Sequence, residues 1–95
     1  RDLTGAIFMK DKVGETFDGI ISGVTRFGFF VELSPFFVEG LVPVRSLQDD
    51  YYIFHEKSHM LSGRKNKKRY QLGTPVTVRM KGVNLEKRWV DLELA

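Results

Sequence analysis

Apolar residues alternate with polar or small ones along several short stretches, and a period of two marks strands with one buried face. In Phe27 to Leu33, the residues Phe27, Phe29, Val31 and Leu33 share one face, while Gly28, Phe30 and Glu32 fall on the other. Further on, Val76, Val78 and Met80 point inward and Thr77, Arg79 and Lys81 outward. Near the end, Val90, Leu92 and Leu94 point inward, with Trp89, Asp91 and Glu93 outward after a turn at Asn84 to Lys87. Thr16 to Val24 is β-prone but interrupted by Gly19 and Gly23, as expected of a strand that bends sharply at the corner of a small closed barrel. Phe37 to Val44 supplies another strand, broken by Gly40 and ended near Pro43.

These five strands predict an all-β domain, a five-stranded OB-fold barrel, with a long basic insertion (residues 45–74) between strands three and four. The insertion shows no sustained strand or helix period. A connection of that length is expected to be functional, partly mobile, or the host of a short helix near Ser46 to His55. Residues 1–12 read as a linker or helix tail from an upstream domain, and residues 13–95 as the barrel domain. The chain opens on Arg1, which reads as a piece of a longer protein.

Composition narrows the function classes. With 95 residues and 42% hydrophobic content, there is enough apolar material for one compact core. There is no Cys, which removes disulfides, thiolate metal sites and Cys nucleophiles, and is what a reducing cytoplasm permits. No apolar run approaches the length of a membrane span. The net charge of +3 hides an asymmetry: residues 57–81 hold eight Lys or Arg and no acid, whereas residues 1–56 sum to −4. Such a block is either a solvated surface or an electrostatic footprint for a phosphate backbone.

Phe30 is the most informative candidate, because alternation turns a large aromatic away from the core, where it can stack on unpaired bases. The alternative is that the insertion folds over it as a second small core. Phe27 sits at the turn, where core and RNA-facing directions are equally open. Arg79, Lys81 and Arg88 supply cations beside outward aromatics, the two halves of single-strand recognition. Trp89 either stacks on bases or packs against the linker. Lys65, Lys67, Lys68 and Arg69 are expected to track phosphates, unless they form a solvated loop. No constellation for catalysis is visible: Asp49-Asp50 reads as an acidic turn or a helix cap. His55 and His59 have the spacing of a two-histidine site on a helix face but lack a third ligand, so no metal or cofactor is expected in this chain.

The stretch FDGIISGVTRFGFFVELSPFFVEGLVPV, residues 17–44, resembles the RNA-binding domain named after ribosomal protein S-one, and the likeness continues through GTPVTVRMKGVNLEKRWVDLEL. The insertion is similar to that at the carboxyl end of the ribonuclease R family of processive 3′-to-5′ exoribonucleases. The resemblance implies a module that grips or feeds single-stranded RNA. It also implies a hydrolytic, Mg²⁺-dependent parent whose catalytic domain, a partner of this one, lies upstream. The family's RNA-contact positions fall on Phe27, Phe30, Asn84 and Arg88. Pro43 stands where many members have His, and Arg45 where Ser is frequent, so Pro43 is expected to pack on a base or ribose and Arg45 to compensate at a phosphate. A second reading makes the barrel a docking or lid element against its catalytic domain or another protein.

Overall fold

The computed structural model describes residues 12–34, 38–84, 86–87 and 89–95. Most of the expected linker, and Arg88, lie outside them. Among the described residues eight strands form: β1 (Thr16–Thr25), β2 (Gly28–Leu33), β3 (Val38–Pro43), β4 (Tyr52–His55), β5 (Met60–Gly63), β6 (Arg69–Gln71), β7 (Pro75–Asn84) and β8 (Trp89–Leu94). Five of them close a barrel in the order β1-β2-β3-β8-β7, and β4-β5-β6 make a separate three-stranded sheet.

Closure depends on β1. Its first half pairs with β7, from Thr16 opposite Arg79 to Ile20 opposite Pro75, and its second half with β2, from Gly19 opposite Leu33 to Thr25 opposite Gly28. The register shifts between Ile21 and Gly23, and such an irregularity bends a strand and raises its local twist. Gly19 sits where the halves overlap, and a Cβ there would collide with the Val31 side chain and lie 2.8 Å from the Glu32 carbonyl oxygen. The circle is completed by a short parallel pairing of β3 with β8, Gly40 opposite Val90 and Leu41 opposite Asp91.

Alternation fills the interior as the sequence predicts. Phe29, Val31, Leu33, Val78, Met80, Val90 and Leu92 are all buried, while Val76 and Leu94 pack partly buried at the edge. Phe27 leaves this set: it lies in the β1–β2 turn and is 73% exposed.

The insertion also departs from expectation. Instead of a short helix near Ser46 to His55 there is only a 3-10 turn, Val44–Ser46, followed by β4. The side chains explain this. Tyr52 is buried and Phe54 half-buried against the core, while Ile53 and His55 face out, so the segment has period two. Leu61 and Tyr70 are buried in the same way, and Tyr70 stacks on Phe29 with ring centroids 4.9 Å apart. The insertion sheet thus extends the barrel core, and Gly73 N–H donates to the Ile21 carbonyl (2.9 Å) where the chain rejoins β1. His55 and His59 belong to the β4–β5 hairpin rather than to one helix face, and His55 Nε2 is 2.7 Å from Ser62 Oγ.

Candidate nucleic-acid interface

Alternation places Phe30 on the outer face of β2, with Leu41 opposite it on β3; Gly28 faces Pro43 and Glu32 faces Glu39 on the same side. Phe30 is half-buried rather than uncovered. The Trp89 ring meets it edge-on, with centroids 5.0 Å apart and planes at 63°, although the two residues sit on β2 and β8 with β3 between them. Aromatic edge-to-face pairs of this kind hold each other in place. Lys87 Nζ lies 5.8 Å from the Trp89 ring. It is positioned by Asn84, whose Oδ1 accepts the Lys87 backbone N–H (3.0 Å) and closes the β7–β8 turn.

The neighbouring turn presents Phe27. Thr25 Oγ1 accepts the Phe27 N–H (3.1 Å) and donates to the Gly28 carbonyl (3.2 Å), while the Phe27 carbonyl accepts the Val44 N–H (2.7 Å). Ser46 Oγ donates to the Pro43 carbonyl (2.7 Å), which ties the 3-10 turn to the end of β3. Exposed Arg45 therefore sits in a turn bonded directly to the Phe27 backbone. Phe27, Phe30, Leu41, Pro43 and Trp89 form one strip, with Arg45 and Lys87 as its cations.

The other predicted cations are arranged differently. Arg79 and Lys81 do project outward, but on β7, two strands from Phe30 across β1 and toward the Glu93 end of the β7–β8 pair rather than its Trp89 end, and they flank one carboxylate, Glu93, at 3.8 and 3.9 Å. In the insertion, Asp49 and Asp50 are turn caps, one of the two forms expected. Asp50 accepts backbone N–H groups from Tyr51, Lys65 and Asn66, each at 2.7 Å. Asp49 accepts from Tyr52, Asn66 and Lys68, the last an ion pair at 3.2 Å.

These bonds favour the charged carboxylates. The Asn66 and Lys65 N–H groups hold Asp50 below the ordinary value of 3.8 against a smaller opposing effect of desolvation. For Asp49, desolvation is the largest single effect and opposes the charge, but hydrogen bonds from Lys68 and Tyr52, a backbone hydrogen bond and the Lys68 charge together lower the value. A lowered folded-state pKa means that the contribution is present above 3.8 and lost as pH falls through the folded value. Amide resonances of Lys65 and Asn66 are expected to move together on acidification below 3.8, and Asp50→Asn should abolish that step.

The S1 RNA binding domain family model matches residues 10–95. The chain belongs to the S1 RNA-binding domain family. Ribonuclease R of Escherichia coli K12 is 47% identical over 87 residues, covering 92% of this chain and 11% of that protein. Ribonuclease R of Aquifex aeolicus is 47% identical over 93 residues, 98% of this chain and 13% of the relative. Mycoplasma genitalium RNase R, solved in complex with ribose methylated single-stranded RNA, superposes with a TM-score of 0.93 at 28% identity over 99% of this chain and 15% of its own. The S1 domain thus spans little more than a tenth of the length of the curated relatives it matches.

Within the S1 domain, Phe27, Phe30, Pro43 and Arg45 come together, and Asn84 joins them through Lys87 and Trp89. Arg79 and Lys81 stand apart. Lys68 is engaged with Asp49, and Lys65 gives its backbone N–H to Asp50. Sequence reasoning missed Lys87, although a cation in the turn just before an outward Trp was a readable signal. It also missed Arg26, whose guanidinium lies 5.9 Å from the Phe54 ring and joins the β1–β2 turn to the insertion sheet.

Proposed function

We propose that the strip from Phe27 to Trp89 is the surface on which this S1 domain grips single-stranded RNA, on behalf of a ribonuclease R type 3′-to-5′ exoribonuclease in the cytoplasm. The observation that carries the reading is the pairing of Phe30 with Trp89 beside a highly exposed Phe27, with cations at both ends. Bases of any identity stack on such rings, and Arg45 and Lys87 attract the phosphates between them. The family membership and the RNA-bound Mycoplasma relative support this direction.

Hydrolysis is assigned to a catalytic domain elsewhere in the parent, where Mg²⁺ would act. Among the described residues no three His, Asp or Glu side chains converge to hold a metal ion. Nor is any helix among them long and apolar enough to cross a membrane.

The chain's single Trp provides the test. Titration with single-stranded RNA is expected to quench Trp89 fluorescence saturably. Quenching that never saturates, or that duplex RNA reproduces at equal concentration, would remove the strip as the binding surface. Arg45→Ala should reduce the slope of log affinity on log salt by about 0.7, the share of one phosphate on a single strand. An unchanged slope and affinity would show that Arg45 does not compensate at a phosphate.

A further inference from the structure

The outer face of the insertion sheet holds a groove of about 450 Å³ that is separate from the aromatic strip. Its lining follows from strand alternation. With Tyr52, Leu61 and Tyr70 buried against the barrel, the residues between them must face away. Cross-strand register then sets Ile53, Ser62 and Arg69 in one row, with His55 opposite Met60 in the next. Ile53 and Met60 form an apolar floor, His55 and Ser62 a polar wall, and exposed Arg64, Lys67 and Arg69 a cationic rim.

No acid lines this groove. Of the nearby carboxylates, Asp50 is committed to the backbone N–H groups of Lys65 and Asn66 and Asp49 to Lys68, while exposed Glu56 follows His55 in the β4–β5 turn, outside the lining. Asp50 is thereby a positioning residue, since it pins the turn that carries Arg64 and Lys67. Lys67 itself is held at φ 63°, a left-handed conformation uncommon for a residue other than glycine. The volume falls within the roughly 300–1,000 Å³ typical of sites for small ligands.

We propose that this groove is a second contact for the same RNA strand, taking one nucleotide with its phosphate against Arg64, Lys67 and Arg69 and its base or ribose on Ile53 and Met60. The proposal rests on the RNA-binding reading above and extends it to the far side of the insertion. Geometry favours continuity: Arg26, in the turn with Phe27, reaches the Phe54 ring on β4, so the aromatic strip and the insertion sheet are neighbours. Phe54 is on the barrel-facing side of β4, so a strand leaving Phe27 would reach the groove by passing round β4, the edge strand of the insertion sheet.

The test compares RNAs of about five and about eighteen nucleotides, which bracket the span of one OB-fold. For the longer RNA, the triple substitution Arg64→Gln, Lys67→Gln, Arg69→Gln is expected to lower the salt slope by about 0.7, the share of one phosphate, and affinity roughly 5-fold at 0.1 M salt. The shorter RNA should keep its affinity. In the unmodified chain, the longer RNA should shift the methyl resonances of Ile53 and Met60, and at saturation it should still do so in Phe30→Ala. If the unmodified chain binds RNA while those methyls stay still and the triple variant keeps its slope, the groove is overturned and the strip stands. If the unmodified chain binds neither RNA, both readings fall together. Methyl shifts produced by a glutamate-rich peptide but not by RNA would assign the groove to an acidic protein segment and overturn the proposal.

Discussion

Replacing Phe30 by alanine is expected to weaken single-stranded RNA binding by roughly 5- to 150-fold, the equivalent of about 1–3 kcal/mol for one lost base stack. The upper half of that range is favoured by the packing. Trp89 rests edge-on against Phe30, so the truncation also frees the indole from the position in which it could receive a base. The fold should survive, because Phe30 points out of the barrel while the interior is filled by Phe29, Val31 and Leu33. Circular dichroism together with an RNA titration separates the two effects. Phe30→Tyr, which keeps the ring, is expected to bind nearly as well as the unmodified chain. A Phe30→Ala protein that is folded and binds RNA normally would show that this ring does not stack on bases.

Gly28→Ala is expected to cost roughly 2–6 kcal/mol of stability, combining about 1–3 for a strained backbone with about 1–3 for overpacking. Gly28 adopts φ +153°, and a Cβ added there would collide with the Val42 carbonyl oxygen and lie 2.8 Å from the Pro43 Cα. Both neighbours are backbone of the adjacent strand and cannot rotate away. A domain of this size holds only about 5–15 kcal/mol in total, so the variant should melt at least about 8 °C lower, at roughly 4 °C or more per kcal/mol. Gly82→Ala is the control: its added methyl meets nothing within 4 Å, so thermal unfolding should hardly move. Gly28 also ends the turn that displays Phe27, so residual folded Gly28→Ala protein should bind RNA less well.

The barrel was legible because each of its strands is long enough for period two to repeat. Phe29, Val31 and Leu33 were assigned inward from spacing alone, and all three are buried. The insertion sheet was not legible because β4, β5 and β6 run only three or four residues and bury one or two positions each. A stretch such as Arg69-Tyr70-Gln71 shows no period by itself; only its pairing with β5 identifies it as a strand. With no sustained period, the segment reads as a connection in which a short helix near Ser46 to His55 stays open.

The interface divides in the same way. Phe30 was found by alternation, because its direction is a local property of β2. Its contact with Trp89 depends on the parallel closure of β3 with β8, a pairing between residues some fifty positions apart that no local pattern records. Arg79 and Lys81 were correctly placed outward, yet their common partner Glu93 emerges only from the β7–β8 register. Position along the β7–β8 pair, toward Glu93 rather than toward Asn84 and Trp89, is what separates them from the aromatic strip.

The central claim is most directly tested by fluorescence anisotropy of labelled single-stranded RNA titrated with this chain at several salt concentrations, beside duplex RNA of the same sequence. Preferential binding of the single strand is expected, with log affinity falling on log salt by about 0.7 per neutralised phosphate. A folded barrel that bound neither RNA at low salt would contradict the account and leave the exposed aromatic strip as a surface for docking against protein.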